Sequence, residues 1–260
     1  MLFSDFSSKI IVTRNNKKIL EGDLMQRSIK ETLTQRTDIS QYLVHLTKDT
    51  DDGKSAKENL ISILKGGQIE ARKHHCLFSP KLRKEDEEIQ KLFNVVCLTE
   101  TPLEKIHLLT NIKGRKINLR PFGVVFTKEA VINKQGNPAM YVYGANKILI
   151  KFMKQMYREF IEAANEDPDE IGDFDRLGSL VNIVKTGHDF HWEREWRVKE
   201  KLVFQLSDIY AVIAPETDHK SIRNAVDIDV MKYVLFIDPR WNMEQLVDNM
   251  SCYIWNEMMP

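Results

Sequence analysis

Hydrophobic positions along this chain follow two rhythms, and they separate strands from helices. Tyr42-Leu43-Val44-His45-Leu46, Val95-Val96-Cys97-Leu98 and Gly123-Val124-Val125-Phe126 are short β-prone runs, and Pro138 to Val142 reads as a further edge strand. Residues 55–65 place Leu60, Ile61 and Leu64 on one helical face, with Ser55 as N-cap and Gly66-Gly67 as the stop. The longest periodic stretch, Ala145 to Asn165, repeats Leu149, Met153, Met156, Phe160 and Ala164 at three or four and predicts a long amphipathic helix. A second helix is expected after Pro168-Asp169, ending before Gly187. The chain then turns β-rich at 196–198, 202–204, 210–213 and 233–237, and a helix near 242–250 closes it. Residues 9–20 suggest a hairpin around Asn15-Asn16, and 22–36 a polar helix.

Strands at both ends without strict βαβ alternation predict an α+β fold, not a doubly wound sheet. The expected organisation is an N-terminal extension over 1–40 and one domain over 41–260. No G-x-G-x-x-G follows a strand and no G-x-x-x-x-G-K-[ST] occurs, which argues against Rossmann and P-loop sites.

With 42% hydrophobic and 29% charged residues, 11 Gly and 8 Pro, composition excludes disordered and collagen-like chains. The three cysteines lack C-x-x-C spacing, so neither a disulfide framework nor a zinc ribbon is expected. No apolar run reaches the roughly 18–20 residues of a membrane span, and charge interrupts the N-terminus too early for a signal peptide. A reducing, cytoplasmic setting is the expectation.

The 38 basic and 38 acidic residues cancel to a formal net charge of zero, but they are unevenly spread. Arg72, Lys73, Lys81, Arg83 and Lys84, with His74 and His75, form one acid-free stretch; Lys105, Lys113, Arg115, Lys116 and Arg120 form another. Residues 159–175 carry only acids. Such runs can be solvated faces, or clustered cations for phosphate contacts.

Three segments can carry chemistry. His45, in Val44-His45-Leu46-Thr47, alternates onto one sheet face with Leu43 and Thr47, as a structural or a ligand-facing histidine. Thr99 and Thr101, before Pro102, suit either a ligand rim or a helix cap. In Trp192-Glu193-Arg194-Glu195-Trp196-Arg197-Val198, a strand would put Glu193, Glu195 and Arg197 on one face and Trp192, Trp196 and Val198 on the other. That pattern fits a polar cleft or a surface strand with cross-strand ion pairs. His188 and His191 lack a third metal ligand at a recognisable spacing, and no metal is expected.

In this order, YLVHLT, a helix ending in Gly-Gly, VVCLTETP and EREWRV resemble the ADP-ribosyltransferase fold over roughly Tyr42 to Val203. Within it they are similar to bacterial phage-defence toxins of the AbiGi-like abortive-infection type, and more distantly to DarT-like toxins. There is also similarity to the mRNA-modifying transferase of toxin–antitoxin–chaperone systems. The resemblance implies a split-sheet core with flanking helices and NAD as co-substrate. It implies His45 and Thr47 at the NAD ribose, Thr99 and Thr101 at the nicotinamide pocket, and Arg197 at the pyrophosphate or beside the catalytic acid. Glu195 would be the catalytic carboxylate, with Glu193 competing for the role. No tyrosine aligns with the middle strand, which leaves the nicotinamide-stacking residue open.

The expected activity is mono-ADP-ribosyl transfer by an anti-phage toxin. Nucleic acid is the expected acceptor, RNA before DNA, held by the basic segments with Phe78 and Phe93 as stacking partners. A neutralising antitoxin is the expected partner, docking on the acidic run or near Tyr253, Trp255, Met258 and Met259. The alternatives are an inactive module of the same fold, serving as antitoxin or phage sensor, and a transferase acting on protein.

Overall fold

The computed structural model of the protein describes residues 37–110, 112, 117–166, 173–185 and 189–258, with side chains as far as Ser251. The chain divides between Ile39 and Ser40. The hairpin expected over 9–20 and the helix over 22–36 lie outside the described residues, as do Lys113, Arg115 and Lys116.

Among the described residues there are eleven strands: β1 Tyr42–Lys48, β2 Gln68–Glu70, β3 Val95–Thr99, β4 Leu119–Thr127, β5 Asn137–Pro138, β6 Met140–Tyr143, β7 Val181–Val184, β8 Glu195–Lys199, β9 Lys201–Val203, β10 Ile209–Ile213 and β11 Leu235–Ile237. The helices are α1 Ala56–Gly66, α2 Ser79–Leu82, α3 Glu87–Leu92, α4 Lys128–Ile132, α5 Lys147–Glu166, α6 Phe174–Gly178, α7 Glu216–Val226, α8 Ile228–Met231 and α9 Met243–Met258. The architecture is α+β. Seven strands form one mixed sheet in the order β11-β10-β4-β1-β3-β8-β5, and β2-β9 and β6-β7 form separate pairs.

The main sheet is nearly divided in two. β1 pairs with β4 from Tyr42–Thr127 to Lys48–Leu119, and β3 with β8 from Val95–Lys199 to Thr99–Glu195. β1 and β3 meet at the single pair Val44–Thr99. The strands carrying the three segments singled out above are therefore consecutive neighbours in space.

Period-2 alternation sorts their side chains onto two faces. Leu43, Val124, Phe126, Leu98, Trp196 and Val198 share a core beneath α1 and α7. Val44, Leu46, Val125 and Ile213 share the opposite core with Leu246 of α9. A third cluster packs α2 and α5 together through Phe78, Phe93, Met153, Tyr157 and Phe160.

α1 starts at Ser55 with a capping box to Glu58 and stops at Gly67 in the left-handed conformation. The buried stripe of α5 is Met153, Tyr157, Phe160 and Ala164, whereas Leu149, assigned to it by periodicity, is exposed. The helix expected to run up to Gly187 is cut short. α6 ends at Gly178, and Val181–Val184 pairs in parallel with β6 because its apolar run completes the third cluster. The acidic run is not uniformly solvated: Asp175 is buried and ion-paired to Lys199.

Gly123 on β4 leaves no room for a side chain, since a Cβ there would lie 2.4 Å from the His45 carbonyl oxygen. The obstacle is backbone, so no rotamer change relieves it. We expect Gly123→Ala to lower unfolding free energy by about 3 kcal/mol, the upper end of ordinary point-mutation effects, as read from the urea midpoint.

Candidate active site

Glu195 opens β8 and faces away from the Trp196–Val198 core together with Arg197. Arg197 has 0% side-chain exposure; its Nη2 donates to Glu195 Oε2 at 2.8 Å and its Nη1 to the Ser179 carbonyl at 2.6 Å. The Tyr141 hydroxyl donates to the same Oε2 at 3.1 Å, and the Cys97 thiol bonds the carboxylate from β3. Burial by itself pushes the Glu195 pKa up. The Arg197 charge and hydrogen bond, the Cys97 bond and the His75 charge outweigh it and hold the carboxyl below its ordinary value. Burial and then the Glu195 charge drive Tyr141 far above its usual range, so it remains a donor. The Glu193 charge adds a smaller upward push on Tyr141 and Cys97.

The expected strand through Glu193 is interrupted. His191–Glu193 form a 3-10 turn, and Arg194 follows it with φ +46. The turn is held from β3. The Thr99 hydroxyl donates to the Glu193 carbonyl at 2.5 Å and lies 2.8 Å from the Thr101 hydroxyl. Thr99 and Thr101 are both buried, so they position the turn and do not form a ligand rim. Thr101 does not cap a helix either, since Pro102 holds the N-cap position of the 3-10 helix at Leu103–Leu109. Glu100, unremarked in the sequence, is buried among Arg194 Nη2 at 3.0 Å, Lys128 Nζ at 2.8 Å and Trp196 Nε1 at 2.9 Å.

Thr47 does not keep its NAD-contact assignment. Thr47 is 4% exposed, and its hydroxyl lies 2.8 Å from the Ala56 carbonyl and 3.1 Å from that of Phe122, so it ties β1 to α1 and cannot reach a ribose. Of the two placements expected for Arg197, the structure shows the one beside Glu195, and its full burial argues against the pyrophosphate contact.

His45 lies on the opposite face from Glu195. Val44, Thr99 and Glu195 form one row across three strands, and His45 alternates onto the side of Leu43. Its Nδ1–H donates to the Cys97 carbonyl at 2.9 Å, at the point where β1 and β3 part. Burial pushes its pKa below the ordinary value against the effect of that bond, so the ring is neutral at pH 7.

The histidine beside Glu195 is His75. It feels the Glu195 and Arg197 charges, although burial sets the net direction of its pKa, which is downward. It lines a cleft of about 780 Å³ with Arg72, Lys73, His74, Arg83 and Asn182. Arg72, Lys73 and Arg83 are thus brought together, whereas Lys81 lies over the Tyr157 ring at 5.3 Å. Phe78 and Phe93 are fully buried core rings and cannot stack on a base.

Searches found no matching protein-family model, no matching curated protein and no matching solved structure. Among the described residues no group of three or more His, Cys, Asp or Glu could hold a metal ion, and no helix is long and apolar enough to cross a membrane.

A depressed carboxylate pKa contributes stability that is complete above the unfolded-state value, about 4.3 for glutamate, and is lost as pH falls through the lower folded value. The stability gap between wild type and Glu195→Gln should therefore be widest near pH 7. It should narrow as pH falls below about 4.5, measured by urea unfolding across the series.

Proposed function

We propose that the chain is an NAD-dependent mono-ADP-ribosyltransferase, acting in the cytoplasm as a growth-arresting anti-phage toxin. The observation that carries the reading is the Glu195 carboxylate, held below its ordinary pKa by a fully buried arginine, with its charge felt by His75 of the basic cleft. The near division of the sheet between β1 and β3 supports it, because the motif-bearing strands stand side by side there.

The cleft suits a dinucleotide. Its volume of about 780 Å³ lies within the range of small-molecule sites, and Arg72, Lys73 and Arg83 would face a pyrophosphate. Gln90, Asn94 and Asn182 add amides for the edges of a base or sugar. NAD supplies an ADP-ribosyl group whose bond to nicotinamide breaks with positive charge developing on the ribose, as in glycoside transfer. Glu195 offers that charge a preorganised carboxylate, with Arg197 and Tyr141 fixing its position. In this reading Glu193, two residues before Glu195, takes the proton from the acceptor. The ribose-facing histidine that the resemblance puts at His45 becomes His75 in this reading.

Nucleic acid is the proposed acceptor, RNA before DNA, and a neutralising protein partner follows from a growth-arresting activity. Incubation with labelled NAD and total lysate, followed by separate protease, RNase and DNase digestion, should leave the label sensitive to RNase. Glu195→Gln, verified folded by circular dichroism, should reduce labelling by at least about 100-fold. Undiminished labelling by that variant refutes the assignment, and label removed by protease alone moves the acceptor to protein.

A further inference from the structure

α5 is charged against its own dipole. A helix favours anions at its N-terminus and cations at its C-terminus. Here Lys147 lies in the first turn and Glu166 in the last, and residues 147–158 carry Lys147, Lys151, Lys154 and Arg158 with no carboxylate, ahead of Glu159, Glu162 and Glu166. Spacings of four, three and four put the cations in one stripe, about 16 Å long at 1.5 Å per residue. All four are exposed, and none has an ion-pair partner among the described residues. Neither helix stability nor local pairing accounts for them.

The stripe begins beside a second cleft of about 590 Å³, lined by Tyr143, Gly144, Ile183, Val184, Lys185 and Asp189. Tyr143 is 57% exposed and its ring lies 5.6 Å from that of His191. His191 lies 4.6 Å from the Tyr141 ring, and Tyr141 donates to Glu195. A short path of rings thus runs from the carboxylate to an open aromatic wall. The β6–β7 pair separates the two clefts: Asn182 lines the basic one, and Tyr143, Ile183 and Val184 line the second.

We propose that the basic half of α5 and the Tyr143 cleft form a track for a single-stranded nucleic acid. Phosphates follow Lys147, Lys151, Lys154 and Arg158, and one unpaired base stacks on Tyr143 with its polar edge toward Lys185 and Asp189. A duplex would bring phosphates but no free base face, and an acidic peptide would leave the ring wall unused. Only the destination of the base, at Glu195, rests on the transferase reading; the binding does not.

The test is fluorescence anisotropy of a dye-labelled single-stranded RNA 12-mer on the full chain, without NAD and across a salt series. Lys151→Ala/Lys154→Ala should weaken binding at least tenfold and reduce the salt slope by about 1.4, two contacts at roughly 0.7 each. Tyr143→Ala should weaken binding at least fivefold and leave the slope unchanged. These positions are exposed, so thermal midpoints should match the wild type. The proposal falls if the double variant binds like wild type, if a duplex of the same sequence binds as tightly, or if polyglutamate displaces the RNA as well as unlabelled RNA does. Strand binding that persists when labelling from NAD fails leaves the track standing and removes the transferase reading. Labelling of RNA with no effect of these substitutions does the reverse.

Discussion

Arg197 is the constraint around which one side of this molecule is built. A guanidinium without access to water costs several kcal/mol unless it is paired and hydrogen-bonded, and removing one partner of such a pair typically costs about 3–5 kcal/mol. Arg197 has Glu195 on one terminal nitrogen and the Ser179 carbonyl on the other, while its Nε lacks a hydrogen-bond partner among the described residues. The pairing therefore rests on two contacts. One comes from its own strand and the other from the end of α6, so β8 must dock against the cluster built by α2, α5 and α6. Arg197 is shut off from solvent, and the low local dielectric makes its hold on the carboxylate strong.

The turn before β8 converts that hold into a placed pair of acids. Arg194 adopts a positive φ that a non-glycine residue takes up only when its surroundings enforce it. The enforcement comes from the end of β3 and the residue after it: Thr99 grips the Glu193 carbonyl, and Glu100 takes the Arg194 side chain while its own N–H bonds the Arg194 carbonyl. Glu100 also draws in Lys128, which follows β4 on the far side of the split. The two halves of the sheet, joined by one backbone pair, are thus joined again by a buried charge network.

Some of this was legible in residue order and some was not. Ser55, Gly67 and the short apolar runs carry local signals, and their elements appear where the pattern puts them. Glu195 and Arg197 share a face because period-2 alternation needs only the strand to be right. Alternation could not say how β1 pairs with β3, and a single pair at Val44–Thr99 turned His45 to the other face. Tyr141 reaches Glu195 from β6, and His75 feels its charge from the loop after β2, a tertiary fact that no spacing encodes. Phe78 and Phe93 are misleading for a related reason: aromatic residues beside cations look the same in sequence whether they face solvent or a core.

The zero net charge is better understood through α5 than through the total. Its four cations and three carboxylates leave one positive charge, and the charges in its terminal turns, Lys147 and Glu166, oppose the helix dipole at roughly 0.3–1 kcal/mol each. The helix tolerates this because Met153, Tyr157, Phe160 and Ala164 bury its other face, and burying side chains of that size contributes about 1.5–3 kcal/mol each for the larger ones. Packing fixes the helix, so its exposed face is free of any duty to stabilise it. A charge pattern that costs stability on a face released from packing is where local and global requirements disagree, and such disagreements concentrate where a surface serves binding and not folding.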